Sequence, residues 1–278
     1  MLRILIDSAA DYLPADAAKR NIEFIPLTVT LDGTPYQDGV DLTTDEYYDK
    51  LSRAAEFPKT SQPSPQAFAD IFQDVKDKGD EMICITLAAA LSGTYQSANI
   101  AKEMVEYDRI HIINAKTATC AIRVLADYAR DLADQGVSTL EIVDKVKALR
   151  EKVKIYAILD TLEYLYKGGR LSKGAATIGE MVSLKPIITL DSEGAIMVPG
   201  KCVGKNKATM FVMKALDTVE VDTSFPFYTI YTLGTENCEH LEKKLDTAGY
   251  SIADRLQIGA TIGSHIGPGV FGVIFVQK

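Results

Sequence analysis

The chain has 278 residues, 47% apolar and 24% charged, a globular balance that argues against disorder and gives length for two domains or one large one. With 38 acidic against 30 basic residues the net charge is −8, which argues against broad affinity for nucleic acid or anionic membranes. The four cysteines (84, 120, 202 and 238) are dispersed with no CxxC pair, and one Cys-x-His step at Cys238 and His240 does not make a ligand set, so neither a disulfide framework nor a structural metal is expected.

In chain order, residues 2–6 read as a buried strand ending at Asp7-Ser8. Residues 24–31 read as a second strand, and Asp32-Gly33 as a hairpin turn before Thr34-Pro35-Tyr36. Thr43 or Thr44 caps a helix over 45–54. Ser64 is an N-cap with Pro65 in the first helical position, and Phe68, Ile71, Phe72 and Val75 follow at helical spacing. Strands over 82–87 and 110–113 flank a helix over 94–105. Ser138-Thr139-Leu140-Glu141 reads as a capping box opening a helix to Arg150. Strands separated by helices predict a mostly parallel sheet with covered faces.

From Lys154 the pattern changes. A strand over 154–159 leads to a helix over 161–167, a Gly168-Gly169 cap and a helical stretch to about 182. Strands over 186–190 and 195–198 form a hairpin through Asp191-Ser192-Glu193-Gly194. A helix over 205–219, a strand over 227–233, a helix over 236–248 and strands over 256–262 and 270–276 complete the chain. The expectation is an α/β protein of two domains, 1–153 and 154–278, the second with partly antiparallel pairing. Residues 1–7 are too short an apolar stretch for a signal peptide, and the runs 82–91 and 267–276 are about half a membrane span. A cytoplasmic protein without a stable membrane anchor is expected.

Four segments can carry chemistry. Leu91-Ser92-Gly93-Thr94-Tyr95-Gln96-Ser97 sits between a strand and a helix, where free N–H groups suit an anion; Gly93 lets a ligand approach and Ser92 adds a hydroxyl. Ser92 reads equally well as an N-cap, with Gln96 placed to complete a capping box. Lys59-Thr60-Ser61-Gln62-Pro63-Ser64-Pro65 reads as a turn bearing hydroxyls. Gly263-Ser264-His265-Ile266-Gly267-Pro268-Gly269 reads as a loop between two strands that holds His265 by backbone geometry. Tyr166-Lys167-Gly168-Gly169-Arg170-Leu171-Ser172-Lys173 carries three cations, suited to an acidic partner or to solvent.

Two functions compete for these residues. One is a serine hydrolase (esterase or thioesterase) using Ser92 on a strand–helix elbow and His265 downstream. Against it, Ala90 and Thr94 replace the glycines that flank such an elbow, and His265 has no evident acidic partner. The other is a binding protein in which Thr60, Ser92 and His265 hydrogen-bond an anionic head group inside an apolar cavity.

Asp7-Ser8-Ala9-Ala10-Asp11, Thr60-Ser61-Gln62-Pro63-Ser64, Leu91-Ser92-Gly93-Thr94-Tyr95-Gln96-Ser97-Ala98, Gly168-Gly169-Arg170-Leu171-Ser172, Lys185-Pro186 and His265-Ile266-Gly267-Pro268-Gly269 follow one another at spacings that resemble the DegV family. Its members are fatty-acid-binding components of bacterial fatty acid kinases. The resemblance implies a two-domain DegV-like fold, a Rossmann-like N-terminal domain and a mixed α/β C-terminal domain, enclosing one long-chain fatty acid. It implies a carboxylate held by Thr60, Ser92 and His265, with Ser61 and Gly93 able to add backbone N–H groups, and Arg170 at a kinase-docking position. It implies no catalytic residue, cofactor or metal in this chain; a separate ATP-dependent kinase subunit makes acyl phosphate for phospholipid synthesis. The sequence departs from the family at Lys201–Ala208, where Val203 stands in place of a common Arg. Burying about fifteen methylenes, at about 0.8 kcal/mol each, would contribute on the order of 12 kcal/mol before ordering costs, so an elongated apolar tunnel ending at Ser92 and His265 is expected.

Overall fold

A computed structural model describes residues 1–171 and 183–278. Its elements, numbered in chain order, are β1 (Leu2–Asp7), α1 (Pro14–Lys19), β2 (Ile22–Ile25), β3 (Thr28–Leu31), β4 (Thr34–Gln37), α2 (Thr44–Arg53), β5 (Lys59–Ser61), α3 (Pro65–Asp77), β6 (Glu81–Thr86), α4 (Thr94–Val105), β7 (Ile110–Asn114), α5 (Cys120–Asp134) and α6 (Thr139–Arg150). There follow β8 (Val153–Ile158), α7 (Glu163–Lys167), β9 (Leu184–Leu190), β10 (Ile196–Val203), α8 (Lys205–Asp217), β11 (Tyr228–Tyr231), α9 (Glu236–Thr247), β12 (Asp254–Gln257), α10 (Ala260–Ile266) and β13 (Phe271–Val276).

The apolar runs of the first half form a wholly parallel sheet in the order β2-β1-β6-β7. Its strands are apolar on both faces, as a doubly covered sheet requires. Ile4, Ile6, Ile83 and Ile85 pack with α5 and α6, while Leu5, Met82 and Cys84 pack with Phe68 and Phe72 of α3 and Ala98 of α4. Each such side chain stabilises the fold by roughly 1.5–3 kcal/mol on burial. Ser64 caps α3 by accepting the Ala67 N–H, and Thr43 with Glu46 forms a capping box on α2, as the sequence predicts.

The single strand expected over 24–31 is two strands. Pro26 has no N–H to give a ladder, so the chain leaves the parallel sheet at Ile25 and re-forms as β3 in a small antiparallel sheet, β4-β3-β5. The Asp32-Gly33 turn joins β3 to β4 as expected. Lys59–Ser61, read as a turn, is the edge strand β5, with Thr60 opposite Val29.

The second half builds a mixed sheet in the order β10-β9-β8-β13-β11-β12, in which only β11 and β12 pair in parallel. Side chains alternate across it. Ile155, Ala157, Ile188, Ile230 and Ile274 face the core shared with α5; Ile158, Ile187, Val273 and Phe275 face α8 and α9. Helix α5 thus lies between the two sheets, in contact with β1 and β6 on one side and β8 and β13 on the other.

Several expectations need correction. Helices α1 and α5 were not foreseen. The second hairpin strand runs to Val203 rather than 198. The Ser138 side chain makes no capping bond; instead Thr139 donates to Glu81 of the parallel sheet. The helical stretch expected beyond Gly169 lies, from Ser172 to residue 182, outside the described residues. The strand expected over 256–262 ends at Gln257, and the loop expected around His265 is the helix α10. Its start is capped from far away: Asp11 accepts the Gly259 N–H at 2.9 Å and Asp38 the Thr261 N–H at 3.1 Å.

Candidate functional site

Between the loops after β6 and β7 and the inner face of the mixed sheet lies a narrow cavity, partly open to solvent, with about 80 Å³ of room for the centres of water-sized groups. Its walls are mostly aliphatic, among them Leu87, Leu91, Ile155, Ile188, Ile230 and Ile258. Thr60, Ser92, Arg170 and His265 also reach it. They come from β5, the loop before α4, the loop after α7 and the last turn of α10.

Thr60, His265 and Arg170 gather around Gly168, and Ser92 adjoins them through the Leu91 backbone. The Thr60 hydroxyl and His265 Nε2 share a hydrogen bond of 2.8 Å. The imidazole lies against Gly168, where a Cβ would come within 2.3 Å of Nδ1, so a glycine is required there for the ring to fit. Arg170 donates from Nη1 to the Gly168 carbonyl at 2.5 Å and from Nε to the Leu91 carbonyl at 3.0 Å. Ser92, next to Leu91, shares a 2.8 Å hydrogen bond with the Thr94 hydroxyl and accepts the Thr94 N–H at 3.3 Å.

Burial, then the nearby Arg170 charge, pushes the His265 imidazole down to about 4, so it is neutral near pH 7. Its buried Nδ1 has no hydrogen-bond partner among the described residues. Burial also lowers the Arg170 guanidinium from its ordinary value. The cluster therefore offers a neutral imidazole, hydroxyls and one half-buried cation, an arrangement suited to an anionic head group with an apolar body.

The geometry does not assemble a hydrolase relay. His265 Nε2 is engaged by Thr60, no carboxylate among the described residues orients its Nδ1, and Ser92 is bonded to Thr94. Neither does Ser92 complete the capping box with Gln96: the N-cap of α4 is Gly93, and Gln96 is exposed.

Two expected residues sit apart from the cavity lining. Ser61 is exposed, because successive side chains of β5 point to opposite faces. Gly93 makes room for Gln62, whose carboxamide nitrogen lies 2.4 Å from where a Cβ would stand and reaches the Ser97 hydroxyl at 3.4 Å.

The motif after β1 explains how the cavity loops are held, a role the sequence reading did not give it. Asp7 accepts from the Ala9 N–H at 3.0 Å and from the Leu87 N–H at 2.7 Å, and Ser8 Oγ accepts the Leu27 N–H at 3.0 Å. Asp11 accepts the Thr119 hydroxyl at 2.5 Å besides the Gly259 N–H. Leu27, Leu87 and Thr119 all line the cavity, and Gly259 begins the helix that carries His265. Thr119 has φ +56°, a strained conformation for a β-branched residue, costing about 1–3 kcal/mol, that the Asp11 bond helps to hold. Burial raises Asp7 to about 7 and moves Asp11 and Asp38 upward as well. The signal was legible: acidic residues directly after a buried strand need partners.

A family model described as an uncharacterised protein of the DegV family matches residues 1–278. This chain belongs to the DegV family. A DegV domain-containing protein of Caldanaerobacter subterraneus is 35% identical, with 100% of this chain and 99% of the relative covered; one from Staphylococcus aureus is 30% identical over 99% and 98%. Among solved DegV structures, one from Thermus thermophilus described by its fatty acid binding has a TM-score of 0.89 at 27% identity, covering 100% of this chain and 99% of that one. A stearic acid-binding protein from Eubacterium ventriosum has a TM-score of 0.88 at 29% identity, with the same coverage. The α/β fold of this DegV protein is thus shared along its whole length. Among the described residues no helix is long and apolar enough to cross a membrane.

Proposed function

We propose that this protein binds one long-chain fatty acid and presents its carboxylate to a separate ATP-dependent kinase, which forms the acyl phosphate used in phospholipid synthesis. One observation carries the reading: a cavity with mostly aliphatic walls is met by the cluster Thr60, His265, Arg170 and Ser92. The acyl chain lies along the aliphatic walls, and the carboxylate is held by Thr60, Ser92 and His265, with backbone N–H groups near Ser61 and Gly93 able to assist. The Arg170 charge offsets carboxylate desolvation. Fatty acid binding by the Thermus and Eubacterium proteins supports the ligand class.

In this reading the chain is a carrier of bacterial cytoplasm, with lobes 1–153 and 154–278 on either side of the ligand. Arg170, half-buried at the cavity, marks the end that meets the kinase, and the exposed Lys205 and Lys207 at the start of α8 extend the docking face. Exposed Val203 supplies no charge there, so docking is weaker than with an arginine at that position. The test mixes the lipid-loaded protein, ATP and a fatty acid kinase subunit, and traps acyl phosphate with hydroxylamine. Acyl hydroxamate that forms only when both proteins are present supports presentation. A bound fatty acid that is never phosphorylated contradicts it and leaves binding intact.

A further inference from the structure

The lining of the cavity is ordered along β8. Ile155 lies near the start of the strand and Ala157 further along it; Leu165 and Arg170 follow on α7 and the loop after it, where Gly168 meets His265. The polar cluster is therefore at the end of the cavity reached after β8, and Ile155 is at the other. Strand β9 runs antiparallel to β8 with Ala157 opposite Ile188. Carrying that register two residues further sets Leu190 level with Ile155, on the same face.

A second cleft lies beyond this pair. It shares Ile155, Thr189 and Leu190 with the main cavity, so these residues separate the two spaces. Five charged residues are among its other walls, Lys116, Arg150, Glu151, Lys154 and Asp191: Lys116 pairs with Glu151 at 3.6 Å and with Glu193 at 3.3 Å, and Arg150 donates to the Asn114 carbonyl at 2.7 Å. A methyl terminus pushed among such groups would strip their water without replacing it. The turn after Leu190 is fixed, because Asp191 Oδ1 accepts the N–H groups of Glu193 and Ala195, each at 2.9 Å.

We infer that Ile155 and Leu190 form the end wall that stops the acyl chain and so sets the length of fatty acid this protein selects. The inference rests on the fatty-acid reading above. Leu190→Ala removes about three carbon atoms from the wall and lengthens the space available to the chain. Leu190→Phe fills it.

The experiment measures competition between myristate and stearate for delipidated protein. Leu190→Ala is expected to raise the stearate-to-myristate affinity ratio at least about tenfold, and Leu190→Phe to lower it by a similar factor, as about two methylenes gain or lose their burial. Ile155→Val, a smaller change, shifts the ratio the way Leu190→Ala does and serves if that variant fails to fold. Wild-type protein that binds either acid, with ratios unchanged in the folded variants, overturns the wall alone. Wild-type protein that binds neither acid overturns the fatty-acid reading, and the wall with it.

Discussion

At the scale of single residues, the polar cluster makes two sharp predictions. Ser92→Ala leaves a buried carboxylate one hydroxyl short, at a cost of about 1–3 kcal/mol, so fatty acid affinity falls roughly tenfold to a hundredfold. Titration with a fluorescent fatty acid measures this, and unchanged affinity removes Ser92 from the site. The second prediction concerns pH. His265 binds a proton at about 4 in the folded chain against the ordinary 6.5 when unfolded. The unfolded state therefore takes up protons first as pH falls through 6.5, and stability declines toward pH 4, by about 2 kcal/mol at pH 5 from this group alone. Asp7, raised to about 7, acts in the opposite sense: its contribution is greatest below the ordinary carboxyl value and is lost as pH rises toward 7. Comparison with His265→Gln isolates the imidazole. Between pH 7 and pH 5 the change in unfolding stability measured with urea should be about 2 kcal/mol more favourable in the variant than in wild type, whatever the carboxylates add to both; equal changes contradict the assignment.

At the scale of elements, two short-range caps held, those at Ser138 and Ser92 did not, and long-range caps left no mark in the sequence. Thr43 with Glu46 and Ser64 with Pro65 mark their helices because the cap and the capped N–H groups lie within a few residues. Helix α10 gave no such signal: its cap is Asp11, 248 positions away, and Asp38. The residues of the site were legible as motifs, whereas the bond from Thr60 to His265 joins positions 205 apart and only folding reveals it. Asp11→Ala removes the acceptor of both the Gly259 N–H and the Thr119 hydroxyl. It should lower unfolding stability by at least about 2 kcal/mol and loosen fatty acid retention, since α10 and the Thr119 loop lose a shared anchor. Gly168→Ala drives a methyl into the His265 ring and should cost about 1–3 kcal/mol with loss of retention. Gly169→Ala, where nothing lies within 4 Å, gives the comparison: it strains a backbone at φ +74° without touching the imidazole, so retention persists.

At the scale of the molecule, the parallel sheet was legible because doubly buried strands such as Met82–Ile85 read as continuous apolar runs between helices. The mixed sheet was legible from the Asp191–Gly194 turn and the change of pattern after Lys154. Helix α5, packed between the two sheets, was not, although it is the element through which their faces share one core. The cavity is a product of this arrangement: loops anchored by Asp7, Ser8 and Asp11 close one side, and the inner face of the mixed sheet closes the other. A ligand held there touches elements drawn from both halves of the chain, so the binding site belongs to the whole molecule. Denaturing the purified protein, extracting it with organic solvent and identifying lipids by mass spectrometry tests this most directly. The account predicts close to one long-chain fatty acid per chain, or stoichiometric uptake when fatty acid is added to delipidated protein. An extract without lipid from a protein that also takes up none would contradict it.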